Sequence, residues 1–286
     1  MSARRLDGRA LAERWRDDVA REAQAFAASA GREPRLAVVL ATDDDAASTY
    51  AAAKMRTAQA LGVQVDLVRI AGPKTASLVE TVERLGADEG VDGILIETPV
   101  ALGVDLRAAQ DAIPAAKDVD GASTQSLGRL FSGQTGFVPA TAAAVIALLD
   151  GYGVEIAGRR AVVVGRSLVV GRPLGQLLLA RDATVTVCHS RTGDLGAVTR
   201  EADVVCMAVG RPRFLTGSMV RPGAVVVDVG TNVVGGKLVG DADFDSVAAV
   251  ASAVSPVPGG VGPLTTLLVL ENVARAARQR CGQAGL

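Results

Sequence analysis

The stretch 161–173, AVVVGRSLVVGRP, carries the densest pattern of residues able to do chemistry. An apolar β-branched run at 161–164 stops at Gly165, and Arg166 and Ser167 follow. Six residues after Gly165 come Gly171, Arg172 and Pro173, which open a helix-forming run at 174–179. A strand, a turn of small residues and a helix start let the backbone approach a phosphate and aim the positive end of a helix at it. The spacing is not G-x-G-x-x-G, so the stretch reads equally as a dinucleotide turn or as an α/β crossover with an exposed arginine. Tyr50 and Lys54, at i and i+4 in a helical run at 46–61, share one helix face. Glu97 follows the apolar run 93–96 and precedes Thr98-Pro99. Proline stops a strand ladder, so Glu97 falls at the carboxyl end of a strand, where α/β folds gather ligand groups. Residues 114–121, PAAKDVDG, form a loop dense in charge.

Other chemistries are disfavoured. The single histidine, His189, adjoins Cys188, and on a strand the two would face opposite sides. With Cys206 and Cys281 the cysteines number three, and their spacing fits no zinc pattern. Cys188 and Cys206 lie in apolar strand-like runs and read as buried small hydrophobes. Neither Cys–His catalysis nor a metal site is expected. With 30 basic and 31 acidic side chains the formal net charge is −1 and no basic block stands out, which argues against nucleic acid as a partner. No cationic start leads into an apolar stretch, and no apolar run approaches bilayer length. A soluble, cytoplasmic protein without a membrane partner is expected.

The elements that must position these groups follow from periodicity. A chain of 286 residues suits two domains. Aromatics make up only 3%, so the core must be aliphatic, and 32 glycines suit closely packed α/β layers. Leu11, Trp15, Val19 and Phe26 line one side of a helix at 8–30. A strand at 36–40, an acidic turn at 43–45, the helix at 46–61, a strand at 63–70, a helix at 75–85 and the strand at 93–96 come next. Helices are expected at 105–113 and near 125–131, and 132–139 looks like a linker. After a helix at 141–149, strands at 161–164, 184–187, 204–208, 224–229 and 250–254 alternate with connections, a βαβ series with a parallel sheet. The last helix, 264–278, starts after a proline.

Several separated motifs then agree. They are Tyr50-x-x-x-Lys54, KDVDG at 117–121, GRSxxVGRP at 165–173, TVTVCHSRT at 184–192, DVG at 228–230 and PVPGGVGPLT at 256–265. In this order, over almost the whole length, they resemble the bifunctional methylenetetrahydrofolate dehydrogenase/cyclohydrolase family. The resemblance implies an α/β protein of two domains. Residues 1–139 would be an N-terminal three-layer α/β catalytic, folate-binding domain, on which a C-terminal helix, 264–286, packs back. Residues 140–263 would be a Rossmann-type NADP-binding domain. It implies oxidation of 5,10-methylene-tetrahydrofolate to the methenyl form, hydrolysis of that form to 10-formyl-tetrahydrofolate, and a homodimer.

The chemistry suits the matching residues. Hydride transfer needs the methylene carbon held against the nicotinamide face and little acid–base work. Hydrolysis needs a water activated beside an iminium-like carbon and a group that shuttles a proton. The resemblance gives that role to Lys54, which must be desolvated or near another cation to be neutral part of the time. Tyr50 would stack on or hydrogen-bond the folate, and Asp120 would anchor the pterin by accepting from its N–H groups. Taken singly, a surface lysine, a core tyrosine and a turn aspartate are the plainer readings; together and in order they are not. Pro258, Gly259 and Gly260, with Gly262, are expected to turn beside substrate and cofactor. The cofactor side gathers Gly165, Arg166, Ser167, Gly171, Ser190, Arg191, Gly210, Gly230 and Thr231. No acid occupies 189–192, and Arg191 and Arg166 put positive charge where a 2′-phosphate would lie, so NADP is expected over NAD.

Three departures fall in the folate half. Glu97 stands where the family has glutamine, and residues 97–101 read ETPVA instead of QLPLP. Ionised, Glu97 would pair with Lys54 and raise its pKa. It could instead be the base itself or attract the methenyl cation; protonated by burial, it would imitate glutamine. The family's Pro-Cys-Thr-Pro is PATA at 139–142. The serine usual three places before the tyrosine is Ala47, with Ser48 one place on, about 100° round the helix. Three readings compete with the bifunctional enzyme: a paralogue with one half-reaction, one that passes the methylene carbon to another amine, and a non-catalytic folate or dinucleotide binder. Retention of Tyr50, Lys54 and Asp120 argues against the last.

Overall fold

The computed structural model describes residues 3–42 and 45–282, except for the side chains of 45–50 and 53. The chain divides into two compact units, Arg14–Ala140 with Thr266–Leu286, and Met1–Glu13 with Thr141–Thr265.

In chain order come β1 (Arg4–Arg5), α1 (Gly8–Ala30), β2 (Arg35–Leu40), α2 (Asp45–Ala60), β3 (Gln64–Arg69), α3 (Thr75–Ala87), β4 (Gly93–Glu97), α4 (Leu106–Asp111) and α5 (Thr124–Phe131). Strands β3, β2 and β4 make a parallel sheet in that order. β4 is buried throughout and β2 at all but its first residue, which is why residues 93–96 and 36–40 read as unbroken apolar runs. One layer of the core joins Ala37, Val39, Ile94 and Ile96 of the sheet to Leu78, Val82 and Leu85 of α3. Asp105 starts α4 by accepting the N–H groups of Arg107 and Ala108, and Ser123 starts α5 by accepting that of Ser126.

The second unit follows α6 (Ala140–Gly151). It comprises β5 (Arg160–Val164), α7 (Gly171–Leu179), β6 (Thr184–Cys188), α8 (Leu195–Thr199), β7 (Val204–Met207), β8 (Val225–Asp228), β9 (Asn232–Val234), β10 (Lys237–Val239), α9 (Phe244–Ala248) and β11 (Ala253–Val254), before α10 (Val261–Arg280). Its sheet has the order β1-β11-β8-β7-β5-β6, parallel at every pairing. The core is aliphatic, with Val162, Val164, Val205, Met207, Leu215, Val226 and Val247 buried together.

Three features differ from the sequence reading. The described residues up to Glu13 group with the second unit, where a boundary after residue 139 assigns them to the first domain. The reason is β1, whose Arg4 and Arg5 pair with Ala253 and Val254; two exposed arginines announce no strand. A hairpin of β9 and β10 was not foreseen, although V-V-G-G-K-L-V offers a two-residue turn with Gly235 and Gly236 both at positive φ. The last helix begins at Val261, so Pro263 lies inside its first turn, where a missing N–H costs nothing.

The C-terminal helix α10 packs against the first sheet's unit. Asn272 Nδ2 donates to the carbonyl of Val119 at 2.8 Å, and Arg280 Nη1 lies 3.1 Å from Asp92 Oδ1. Asp92 is fully buried and also takes the Arg32 guanidinium with both oxygens, at 2.7 and 2.9 Å. Among the described residues no helix is long and apolar enough to cross a membrane.

Candidate active site

The last turns of α2 and the carboxyl end of β4 bring Lys54 and Glu97 together. Lys54 Nζ donates to Glu97 Oε1 at 2.9 Å and Oε2 at 2.7 Å. The Glu97 side chain is 7% exposed and that of Lys54 29%, so the carboxylate is buried and the ammonium reaches it from a wetter edge. Of the roles Glu97 was given, ion pairing with Lys54 is the one this geometry displays. Tyr50 lies one turn before Lys54 on α2; its side chain, like those of Ala47 and Ser48, is outside the described residues.

The loop 117–121 spends two of its three charged side chains on nearby helix ends. Lys117 is buried, and its Nζ donates to the carbonyls of Gly86 at 2.7 Å and Asp88 at 2.6 Å, closing the end of α3. Burial lowers its pKa, with the charge of Arg280 adding to the effect. Asp118, also buried, accepts the N–H groups of Ala122 and Ser123 and the hydroxyl of Ser126. Val119 presents its carbonyl to Asn272. Asp120 remains. Part of its surface reaches solvent, yet its carboxyl sits deep among protein atoms and is pushed up to about 7. Burial is the main cause and the charge of Asp118 the next; Lys54 pulls the value down and Glu97 pushes it up. Asp120, Lys54 and Glu97 therefore share one electrostatic neighbourhood.

In the second unit, the turn after β5 needs its glycines. Gly165 has φ +132°, and a Cβ there would strike the carbonyl of Ala208; one on Gly171 would strike that of Gly165. Ser167 Oγ accepts the N–H groups of Val170 at 3.2 Å and Gly171 at 3.3 Å, and its carbonyl accepts that of Arg172. Ser167 thus shapes the turn, while Arg166 is exposed. β5 and β6 are paired from Arg160–Thr184 to Val164–Cys188, which sets the loop after β6 beside this turn. There Ser190 and Arg191 are exposed. His189 holds their loop: its Nδ1 accepts the N–H of Arg191 at 3.1 Å, and its N–H donates to Thr192 Oγ1 at 2.8 Å. Two exposed arginines and a serine at adjacent strand ends are a donor set that fits the phosphates of a dinucleotide.

The turn at 258–260 leads into α10. Gly8 lies against it, donating its N–H to the carbonyl of Gly259 at 2.8 Å. Asp228, of the DVG motif, ends β8, and its type and spacing alone assign it no task. It is buried and accepts the N–H groups of Gly230, Asp241 and Ala242. Burial pushes its carboxyl up to about 6, against the pull of those three donors. Asp241, which is fully buried, went unnoticed, because its partners lie on a loop some thirty residues earlier and leave no local pattern.

Two family models match this chain. The tetrahydrofolate dehydrogenase/cyclohydrolase catalytic domain covers residues 6–120, and the NAD(P)-binding domain of the same name covers residues 139–281. The chain belongs to the tetrahydrofolate dehydrogenase/cyclohydrolase family. It is 50% identical over 274 residues to a Parafrankia protein named "Bifunctional protein FolD", covering 96% of this chain and 99% of that one. Solved members of the tetrahydrofolate dehydrogenase/cyclohydrolase family have the same fold. The bifunctional enzyme from Campylobacter jejuni gives a TM-score of 0.93 at 37% identity, covering 96% of this chain and 98% of that one. The Trypanosoma brucei enzyme, solved with NADP cofactor and inhibitor, gives 0.93 at 34% identity, covering 99% and 100%.

Proposed function

We propose that the chain oxidises 5,10-methylene-tetrahydrofolate to 5,10-methenyl-tetrahydrofolate with NADP, and hydrolyses the methenyl form to 10-formyl-tetrahydrofolate. The carrying observation is the Lys54–Glu97 pair at a sheet's carboxyl edge, in the charge field of Asp120. Kinship with bifunctional relatives supports the same reading.

Bound NADP supplies a hydride acceptor. Gly165 and Gly171 bring the backbone close, Ser167 shapes the turn, and Arg166, Ser190 and Arg191 receive the phosphates, the 2′-phosphate included. Gly210, Gly230 and Thr231 border the cofactor from later loops. On the folate side, Asp120 accepts the pterin N–H groups, Tyr50 lies against the ring system, and Pro258, Gly259 and Gly260 bound the substrate. Loss of hydride from the methylene carbon leaves the cationic methenyl form, whose charge the Glu97 carboxylate favours. Water adds to that carbon and Glu97 takes its proton. Lys54 gives a proton to N5 as the C–N5 bond breaks and regains one from the carbinol hydroxyl. One proton is released overall, which balances hydrolysis of a cation to a neutral formyl amide.

The same ion pair favours a second reading, a dehydrogenase slow in hydrolysis, because freeing Lys54 from Glu97 breaks a largely buried pair. Two assays on purified protein separate the readings: reduction of NADP or NAD with methylene-tetrahydrofolate, and decay of authentic methenyl-tetrahydrofolate above its uncatalysed rate. Both signals are expected, with NADP preferred over NAD at least about tenfold, the loss of a bidentate phosphate contact being worth that much. Reduced cofactor alone, with hydrolysis restored in Glu97→Gln, establishes the second reading. Absence of both signals overturns the function. A homodimer in the cytoplasm belongs to this proposal, through kinship alone; light scattering and cell fractionation test it.

A further inference from the structure

The loop 209–211, just beyond β7, has its backbone donors spent inside the protein. Val209 N donates to Asp241 Oδ2 at 2.6 Å, Gly210 N to the same oxygen at 3.0 Å, and Arg211 N to Oδ1 at 2.8 Å. Asn232 Nδ2 donates to Oδ1 at 2.9 Å. Three consecutive N–H groups around one carboxylate form an anion nest whose anion the protein itself provides. Asp228 completes the device: its Oδ1 accepts the N–H groups of Gly230 and Asp241, at 2.9 and 3.0 Å. Both carboxylates press on glycine backbone. A Cβ on Gly230 would strike the Asp241 carboxyl group, and one on Gly240 the Asp228 carboxylate.

We propose that Asp241 is a positioning residue for the dinucleotide: by occupying the backbone N–H groups of 209–211 it leaves the backbone of that loop only carbonyl oxygens to offer the cofactor, with Asp228 holding Asp241 in place. This rests on the dinucleotide reading above. The backbone of the loop then cannot serve a phosphate, which needs donors; the exposed Arg211 guanidinium, over the Phe214 ring, is the loop's remaining donor. The backbone suits a ligand group that donates, such as a primary carboxamide. Gly210 acts through its carbonyl and Gly230 through close approach, since their own N–H groups are committed.

Asp241→Asn is the direct test, because either amide orientation turns an NH2 toward two N–H donors and disrupts the nest. Asn232→Ala is the milder one; it removes a single donor from a half-buried position. NADPH binding is read by its fluorescence, alongside the KM for NADP, the kcat and the hydrolysis of methenyl-tetrahydrofolate, which consumes no cofactor. For Asp241→Asn we expect NADPH binding and the KM for NADP to weaken tenfold or more, while hydrolysis falls less than twofold. For Asn232→Ala we expect a threefold weakening of NADPH binding. A folded Asp241→Asn that binds NADPH like wild type, or loses both activities in equal measure, overturns the proposal. If that variant does not fold, wild-type binding by Asn232→Ala overturns it instead. Wild-type protein that binds no NADPH removes the dinucleotide reading and the proposal with it.

Discussion

Asp120 sits at a carboxyl pKa of about 7, well above its ordinary 3.8, because burial and the charge of Asp118 outweigh the attraction of Lys54. A raised carboxyl pKa means that the folded chain binds this proton more tightly than the unfolded one. The stability it contributes is therefore complete below the unfolded value and is lost as pH rises through about 7. Asp120→Asn abolishes that slope. Urea midpoints measured between pH 5 and 8 should diverge in favour of the variant as pH rises. The dehydrogenase kcat/KM of wild type should inflect near pH 7, and that of Asp120→Asn should not. The Asp120 carboxyl was legible as part of KDVDG, but the division of labour within the motif was not. Lys117 and Asp118 point to chemistry by their type, yet each is consumed in closing or opening a helix.

At the scale of elements, α10 is held to the first unit by a buried charge. Asp92 faces Arg32 and Arg280 and accepts the N–H of Arg35 at 2.9 Å. Asp92→Ala leaves two guanidinium groups and a backbone donor around a cavity, and a buried pair broken on one side costs about 3–5 kcal/mol. Both arginines reach solvent at their edges, so a loss near the lower end, about 3 kcal/mol, is expected in chemical denaturation. Asp92→Asn should lose less. An unchanged midpoint in Asp92→Ala would show that α10 is fastened by its apolar face alone. Most helices and strands could be placed from periodicity, because a buried parallel strand or an amphipathic helix writes its environment into consecutive residues. β1 could not, since its existence depends on the edge that β11 offers.

For the whole molecule, ligand binding should act on one unit first. NADP at about 100 times its Kd adds about 2.7 kcal/mol to the stability of the state that binds it. Hydrogen exchange should slow at 165–171 and 189–192 before it slows anywhere in the three-stranded sheet; uniform slowing across both sheets would contradict the assignment of the cofactor to the second unit. Residue types and spacing by themselves determined an α/β chain with an aliphatic core, a glycine turn after a strand, a basic loop after the next strand, and Glu97 at a strand end. Those features are local: each is a run of neighbours obeying one period or one turn. Tertiary structure decided that Glu97 holds Lys54, that the Asp120 carboxyl has no donor among the described residues, that Arg4 and Arg5 join the second sheet, and that Asp241 takes the N–H groups of a loop some thirty residues away. Each of these depends on groups distant in sequence meeting where burial strengthens charge and obliges every donor to find an acceptor, and no local pattern records such a meeting.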